Sequence, residues 1–158
     1  MINLVKNQNP MPEQAPDVRN KNFLEVAEGY TEQMAINEAM RCLKCRKRPC
    51  VSGCPVNIKI PDFIAQVAIG EFEEAYRIIS EDSSLPAICG RVCPQENQCQ
   101  GECVRCAKGE PVAIGRLERF VADWHAANYG DEEIKPVDSN GHKVAIIGAG
   151  PAGLACAG

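Results

Sequence analysis

The sequence predicts a mainly α-helical, cysteine-rich domain followed by the first strand and turn of an α/β unit. Three observations carry that expectation. Apolar residues recur at helical spacing between Thr31 and Tyr129. Ten cysteines crowd a chain of 158 residues. After Gly141 the pattern changes to a short β-branched run that ends in glycine. With 45% hydrophobic side chains the chain is long enough to bury one core, which bounds it at one domain and a fraction.

Asn7 to Asn20 holds Pro10, Pro12 and Pro16 among polar residues, a composition for an extended arm on a surface or a loose terminus, not a helix. Thr31 is placed as the N-cap of a helix carrying Met34, Ala35, Ala39 and Leu43, which delivers the chain to Cys42 and Cys45. Pro61 and Asp62 open a second helix with Phe63, Ile64, Val67 and Ala68, and Gly70 ends it. Phe72, Ala75, Tyr76 and Ile79 continue at helical spacing to about Ser83, giving a helix pair behind the first cysteines. From Pro86 to Cys106, Gly90, Pro94 and Gly101 punctuate the chain into tight turns and helical fragments, and metal rather than apolar area is expected to fix them. A longer helix follows from about Val112 to Tyr129, with Ile114, Leu117, Phe120, Val121 and Trp124 in one arc and Gly130 closing it. Asp131 to Gly141 is polar, contains a proline and reads as a linker. The division is placed at residues 1–140 for the helical domain and 141–158 for the start of the next.

Composition removes several functions. A net charge of -4 and 5% aromatic residues argue against nucleic-acid binding, which needs a basic excess or stacking platforms. The most apolar stretch, Val144 to Gly158, is broken by glycines and a proline and is too short for a bilayer. Polar residues follow Met1 to Lys6 too soon for a signal peptide. A cytoplasmic, reducing setting is therefore expected, where clustered cysteines serve as metal ligands or redox groups.

The first cysteine group is Cys42-x2-Cys45-x4-Cys50-x3-Cys54-Pro55 and the second is Cys89-x3-Cys93-Pro94-x4-Cys99-x3-Cys103-x2-Cys106. Close spacing lets successive thiolates converge on one iron–sulfur cube, and a following proline turns the backbone away from helix. The first group differs from the bacterial ferredoxin run in its middle spacing, so a standard ferredoxin loop is not implied. Zinc accepts sets of four thiolates at similar spacing, and disulfides are a third reading. The repeated C-x3-C-P element favours iron–sulfur.

With these groups, Met11-Pro12-Glu13-Gln14, Arg19-Asn20-Lys21-Asn22-Phe23, Glu28-Gly29-Tyr30-Thr31 and Gly115-Arg116-Leu117-Glu118-Arg119-Phe120 make the chain resemble a known domain. It is similar to the N-terminal di-cluster domain of the NADPH-dependent glutamate synthase small subunit. Related domains occur in the large subunit of NADH-dependent ferredoxin:NADP oxidoreductase and in dihydropyrimidine dehydrogenase. The resemblance implies an α-helical ferredoxin-like domain with two 4Fe-4S clusters. It gives one cluster to Cys42, Cys45, Cys50 and Cys103, and the other to Cys54, Cys93 and Cys99, with Glu118 where dihydropyrimidine dehydrogenase uses a glutamine. On a helical wheel Glu118 lies about 40 degrees from Ile114, at the edge of the buried arc. An ion pair with Arg116 or Arg119 is the alternative for Glu118, and Cys106 is its rival as fourth ligand. Cys89 and Cys106 are then spare, and Cys156 has no cluster role. Lys44, Arg46, Lys47 and Arg48 in the first group either offset cluster charge, receive an acidic carrier, or form a solvated loop.

Lys143 to Ile147, Gly148-Ala149-Gly150-Pro151-Ala152-Gly153 and the helix-like residues beyond follow the strand, turn and helix order of a dinucleotide fingerprint. Gly148, Gly150 and Gly153 are its glycines, and in the resembling families this motif binds FAD. An acidic ribose ligand would lie about 20 residues further on, so the chain is expected to be a piece of a longer protein with FAD and NADPH domains, and to bind little FAD alone. The expected role is electron transfer from those domains to a partner. That partner is a glutamate synthase large subunit, or, for the transhydrogenase alternative, an electron-transfer flavoprotein subunit or ferredoxin. A zinc-stabilised interaction module is the alternative of another class. No residue reads as a catalytic acid, base or nucleophile; His125 and His142 are expected to be structural or solvent-facing.

Overall fold

A computed structural model of the chain describes residues 2–130 and 138–157. The described residues form α1 (Pro16–Arg19), α2 (Glu32–Ala39), α3 (Pro49–Ser52), α4 (Ile60–Val67), α5 (Phe72–Ser80), α6 (Pro86–Val92), α7 (Ile114–Tyr129) and α8 (Pro151–Ala157), with 3-10 turns at Gln95–Asn97 and Val104–Ala107. Most of the expected linker falls outside the described residues.

Three helix starts and one helix stop have identifiable causes. Thr31 Oγ1 accepts the Met34 amide at 3.3 Å, capping α2 as its sequence predicts. Pro61 sits in the first turn of α4, where no amide is needed. Gly70 takes φ +84 just after α4, so the Glu71 amide can return to the Gln66 carbonyl at 3.0 Å. The long helix starts at Ile114, two residues later than its periodicity suggests. The reason is tertiary: the Ala113 amide donates to Glu38 Oε1 at 2.9 Å, so a carboxylate from α2 serves the N-terminus of α7.

Helices α4, α5 and α7 enclose the core. Phe63, Ile64 and Val67 of α4, Ala75 and Ile79 of α5, and Leu117 and Val121 of α7 are buried. Phe72 meets Phe120 edge-on at 5.0 Å and Trp124 at 5.3 Å. Helix α6 buries only Pro86, yet it packs along α7. Gly90 makes this contact close, since a Cβ there would lie 2.6 Å from the Arg119 amide nitrogen. The glycine expected to break the chain is instead inside a helix, where absence of a side chain permits close packing.

The N-terminal residues form the extended arm only as far as Ala15; against expectation Pro16–Arg19 turn as the short α1, with Pro16 in the first turn where no amide is needed. The Gln14 amide bonds to the Val26 carbonyl at 2.9 Å and the Glu28 amide to the Pro12 carbonyl at 2.8 Å. Tyr30 Oη donates to the Asn9 carbonyl at 2.6 Å. The arm is anchored from beneath by Arg41, which is 1% exposed and paired with fully buried Glu38. Arg41 donates from Nε to Val5 O, from Nη2 to Lys6 O and Glu110 O, and from Nη1 to Pro111 O, besides Glu38. That occupies all its N–H donors. Glu38 Oε2 accepts the Asn9 amide at 2.8 Å.

The expected strand is not formed. Among the described residues there is no β-strand, only an isolated bridge between Glu13 and Ala27. Lys143 to Ile147 have no β segment beside them to complete a ladder, whereas α8 closes its own hydrogen bonds and needs none.

Removing one member of a buried, fully bonded pair leaves the other uncompensated. Arg41→Met is expected to lower unfolding free energy by about 3–5 kcal/mol in urea titration and to speed proteolysis within residues 2–9.

Candidate metal centres

The first thiol group forms where α2 ends. Cys42 lies just beyond α2, its amide bonded to the Ala39 carbonyl at 3.0 Å. Lys44 and Arg48 then take left-handed backbone angles, φ 50 and φ 46, which fold the loop back so that Cys50 enters α3 near Cys42. Cys42, Cys45, Cys50 and Cys103 line one cavity. Buried Ile60, Ile64 and Ile114 wall its inner side, while exposed Leu43 and Val104 stand on its outer side. Burial pushes the Cys42 thiol up, with the Cys103 and Cys45 sulfurs adding to it and the Lys44 amide opposing. Burial and the sulfurs of Cys42 and Cys103 push Cys50 up to about 11.

The second group gathers Cys54, Cys93, Cys99 and Glu118. Cys54 follows α3, Cys93 ends α6, Cys99 follows the 95–97 turn, and Glu118 projects from α7. Burial, then the adjacent Cys89, raises Cys93 to about 11, with Glu118 and Cys54 contributing. Burial, then Cys54 and Glu118, raises Cys99 to about 12. Glu118 is 6% exposed and its Oε1 has no hydrogen-bond partner. Burial pushes this carboxyl up to about 8. The ion-pair alternative fails: Arg116 donates to the Asn9 carbonyl at 2.8 Å, and Arg119 engages the Ala27 carbonyl, Glu25 and Asp123.

Cys106 belongs elsewhere. Its thiol is exposed, lies 3.3 Å from the Gln100 carbonyl, and feels Cys103 of the first group. Cys89 is one helical turn before Cys93 on α6, a proximity its i, i+4 spacing could have signalled. Sequence reasoning also missed how the second group is closed. Gln95 donates to the Cys89 carbonyl at 3.2 Å and accepts from Gln100 at 2.7 Å. Its side chain lies where a Cβ on Gly115 would be, 1.7 Å away. Gly90 and Gly115 together let α6, the 95–97 turn and α7 meet around Cys93, Cys99 and Glu118.

The donors fit an iron–sulfur group. Thiols and a carboxyl that are costly to ionise in a dry pocket become favourable ligands once a cationic centre is present. The orphaned Glu118 oxygen beside Cys93 and Cys99 would gain a partner. Among the described residues, no three His, Cys, Asp or Glu side chains converge as they would around a single ion.

Of the expected strand, turn and helix near the end of the chain, the turn and α8 are formed. Gly148 has φ +113, and a Cβ on Gly153 would lie 2.1 Å from the Gly148 carbonyl oxygen. These two positions therefore require glycine, and a Cβ on Gly150 would meet nothing within 4 Å. His125 stacks on Tyr76 at 3.5 Å and pairs with Glu73 at 2.8 Å, apart from both thiol groups; His142 is exposed.

Residues 19–129 match the family described as dihydropyrimidine dehydrogenase domain II, 4Fe-4S cluster, and the chain belongs to this family. It is 43% identical over 135 residues to the NAD-dependent dihydropyrimidine dehydrogenase subunit PreT of Escherichia coli K12, covering 85% of this chain and 32% of that protein. It is 41% identical over 147 residues to the NADPH glutamate synthase small chain of Halomonas elongata, covering 92% of this chain and 31% of that protein. To the putative oxidoreductase UacF of Escherichia coli K12 it is 42% identical over 140 residues, or 88% of this chain and 22% of that protein. The chain thus spans about a third or less of these curated relatives. The family supports iron–sulfur chemistry and electron transfer in an oxidoreductase subunit, over the zinc and disulfide readings. Among the described residues no helix is long and apolar enough to cross a membrane.

In iron-free protein, folded Glu118 holds its proton to about 8, whereas an unfolded glutamate releases it near 4.3. The folded state then binds more protons between those values, so this group's contribution is full below about 4.3 and is lost as pH rises to about 8. Urea unfolding should show that Glu118→Gln removes this slope and is the more stable form at pH 8, by on the order of a few kcal/mol.

Proposed function

We propose that the chain is the electron-transfer segment of an NAD(P)H-dependent flavin and iron–sulfur oxidoreductase of the glutamate synthase small-subunit type. The observation that carries the reading is the buried, unpartnered Glu118 carboxyl among cysteines, in a chain of a 4Fe-4S family. Cys42, Cys45, Cys50 and Cys103 would hold one 4Fe-4S cluster, and Cys54, Cys93, Cys99 and Glu118 the other. When bound, such clusters supply one-electron acceptor and donor sites. The chain's residues set the conditions for this. Ile60, Ile64 and Ile114 keep water from the inner side of the first site, and the α6–α7 contact fixes the second. Cys50 of the first group adds to the upward shift of Cys99 in the second, which supports reading the two groups as neighbours in a relay.

In this reading residues 1–140 are the cluster domain. Residues 141–158 begin an FAD domain, whose pyrophosphate would approach Gly148, Gly150 and Gly153 at the start of α8. FAD and NADPH act in the longer protein, in the cytoplasm, and the partner is a glutamate synthase large subunit. The 43% identity to the PreT subunit favours a second reading, an NAD-dependent dihydropyrimidine dehydrogenase subunit. Full-length protein with its partner subunit separates them: NADPH oxidation driven by glutamine and 2-oxoglutarate supports the first, and NAD-linked turnover of a dihydropyrimidine the second.

Iron and acid-labile sulfide in anaerobically purified chain test the cofactor. The expected result is two clusters' worth of both; colourless protein with stoichiometric zinc would overturn it. Glu118→Ala should lose about half the iron and Glu118→Gln retain it, because an amide oxygen can still ligate. Cys106→Ala should keep full iron, and loss of one cluster there alone would overturn the assignment to Glu118.

A further inference from the structure

The outer wall of the first thiol cavity continues into a surface that the fold leaves uncovered. Leu43 and Val104 line the cavity with the four cysteines and also line a groove with Leu4, Lys6 and Lys108. Leu4 shares a neighbouring hollow with Ile2 and Met40, and Ile2 shares another with Lys44 and Ile69. Leu4 is 75% exposed, Ile69 70%, Ile2 55%, Val104 50% and Leu43 38%. Isolated exposed leucines are ordinary, but a contiguous apolar patch on a soluble surface marks a contact.

The display is held in place. The Asn3 amide donates to the Met40 carbonyl at 2.9 Å, Asn3 Nδ2 donates to the Asn37 carbonyl at 3.3 Å, and Arg105 donates to the Asn3 carbonyl at 3.1 Å. Ile2 and Leu4 flank this anchored residue and face outward.

The rim carries one sign of charge. Lys6, Lys44 and Lys108 border the hollows, and Arg46 and Lys47 are exposed in the Cys42–Cys50 loop. Among the described residues none of these five makes an ion pair, whereas Arg19, Arg48, Lys59, Arg77, Arg91 and Arg119 all do. Glu110, the nearby acid in sequence, is engaged by the Gln8 amide at 2.6 Å. A basic face on a chain of net charge -4 selects for a partner of opposite sign.

We propose that this face docks an acidic electron-carrier protein, whose apolar centre seats over Leu4, Leu43 and Val104 and whose carboxylates meet Lys6, Lys44 and Lys108. The proposal rests on the iron–sulfur reading of Cys42, Cys45, Cys50 and Cys103, since the docked surface shares two side chains with that cavity. Electron-transfer encounters use small, charge-steered interfaces, and an apolar centre with a cationic rim suits one. A lipid surface is the less fitting occupant, because membrane-lying segments present one long amphipathic helix and this face is a set of hollows between loops.

The test titrates the cluster-loaded chain, its iron counted, with an acidic plant-type 2Fe-2S ferredoxin by calorimetry at two salt concentrations. Saturable binding that weakens with salt is expected. The triple variant Lys6→Glu, Lys44→Glu, Lys108→Glu should weaken it about tenfold or more. Leu4→Ser with Val104→Ser should weaken it with little change in salt dependence, and Lys21→Glu with Lys143→Glu should leave it unchanged. All are exposed positions, and the variants are compared at equal iron content and equal helical circular dichroism, so that lost docking is read apart from a lost cluster. Absence of saturable binding, or equal weakening in the Lys21 and Lys143 variant, overturns the proposal. So does tighter binding to phosphatidylserine vesicles that the triple variant abolishes, or a dimer by sedimentation that Leu4→Ser with Val104→Ser dissolves. A chain that takes up no iron and sulfide yet binds through this face keeps the docking and refutes the iron–sulfur reading; iron-loaded chain that fails to bind does the reverse.

Discussion

The carboxylate of Glu38 and the guanidinium of Arg41, both shut off from water, join three segments far apart in sequence. Through them α2 holds the backbone of Val5, Lys6 and Asn9 on one side, and of Glu110, Pro111 and Ala113 on the other. Each tie bears on the thiols. Cys42 follows directly from the end of α2, and Glu118 lies one turn into the helix whose entry Glu38 fixes. Arg105 extends the same frame, bonding the Arg41 carbonyl at 3.1 Å from the turn that follows Cys103. A buried pair is an uncertain source of net stability, but breaking one is costly, so it acts chiefly to specify a single arrangement.

Two buried glutamates in the same domain make the division between scaffold and site visible. Glu38 has an arginine and two backbone amides and needs nothing more. Glu118 is nearly as buried and has an oxygen with no partner, although Arg116 and Arg119 flank it in sequence. Those arginines are held by the arm, by Glu25 and by Asp123, so no rearrangement of one side chain supplies the missing charge. Such an imbalance beside Cys93 and Cys99 is what supports the proposal of a ligand there, because a buried carboxyl oxygen without a partner is costly.

Much of the scaffold was legible because its signals are local. Thr31 as N-cap, Pro61 in a first turn, Gly70 after a helix and the arc from Ile114 to Trp124 each depend on residues within a turn or two. Gly90 escapes a local reading for the same reason. A glycine in a cysteine-rich stretch looks like a breaker until α7 is seen lying against it. Periodicity alone starts α7 too early because the carboxylate that occupies the Ala113 amide comes from α2. The β-branched run near the end has its period but no ladder beside it, and strand structure is a property of pairs.

The sequence by itself determined the helical class, the family and the inventory of thiols, since these follow from periodicity, spacing and residue type. Tertiary structure decided which thiols stand together. It put Cys103 with Cys42, Cys45 and Cys50, which come more than 50 residues earlier in the chain, left Cys106 outside their cavity, and brought Glu118 to Cys93 and Cys99. Spacing along a chain limits which residues can meet. Which of them do meet is set by the close approach of α6 and α7 over Gly90 and Gly115, and by the buried pair that fixes where α2 and α7 begin and end.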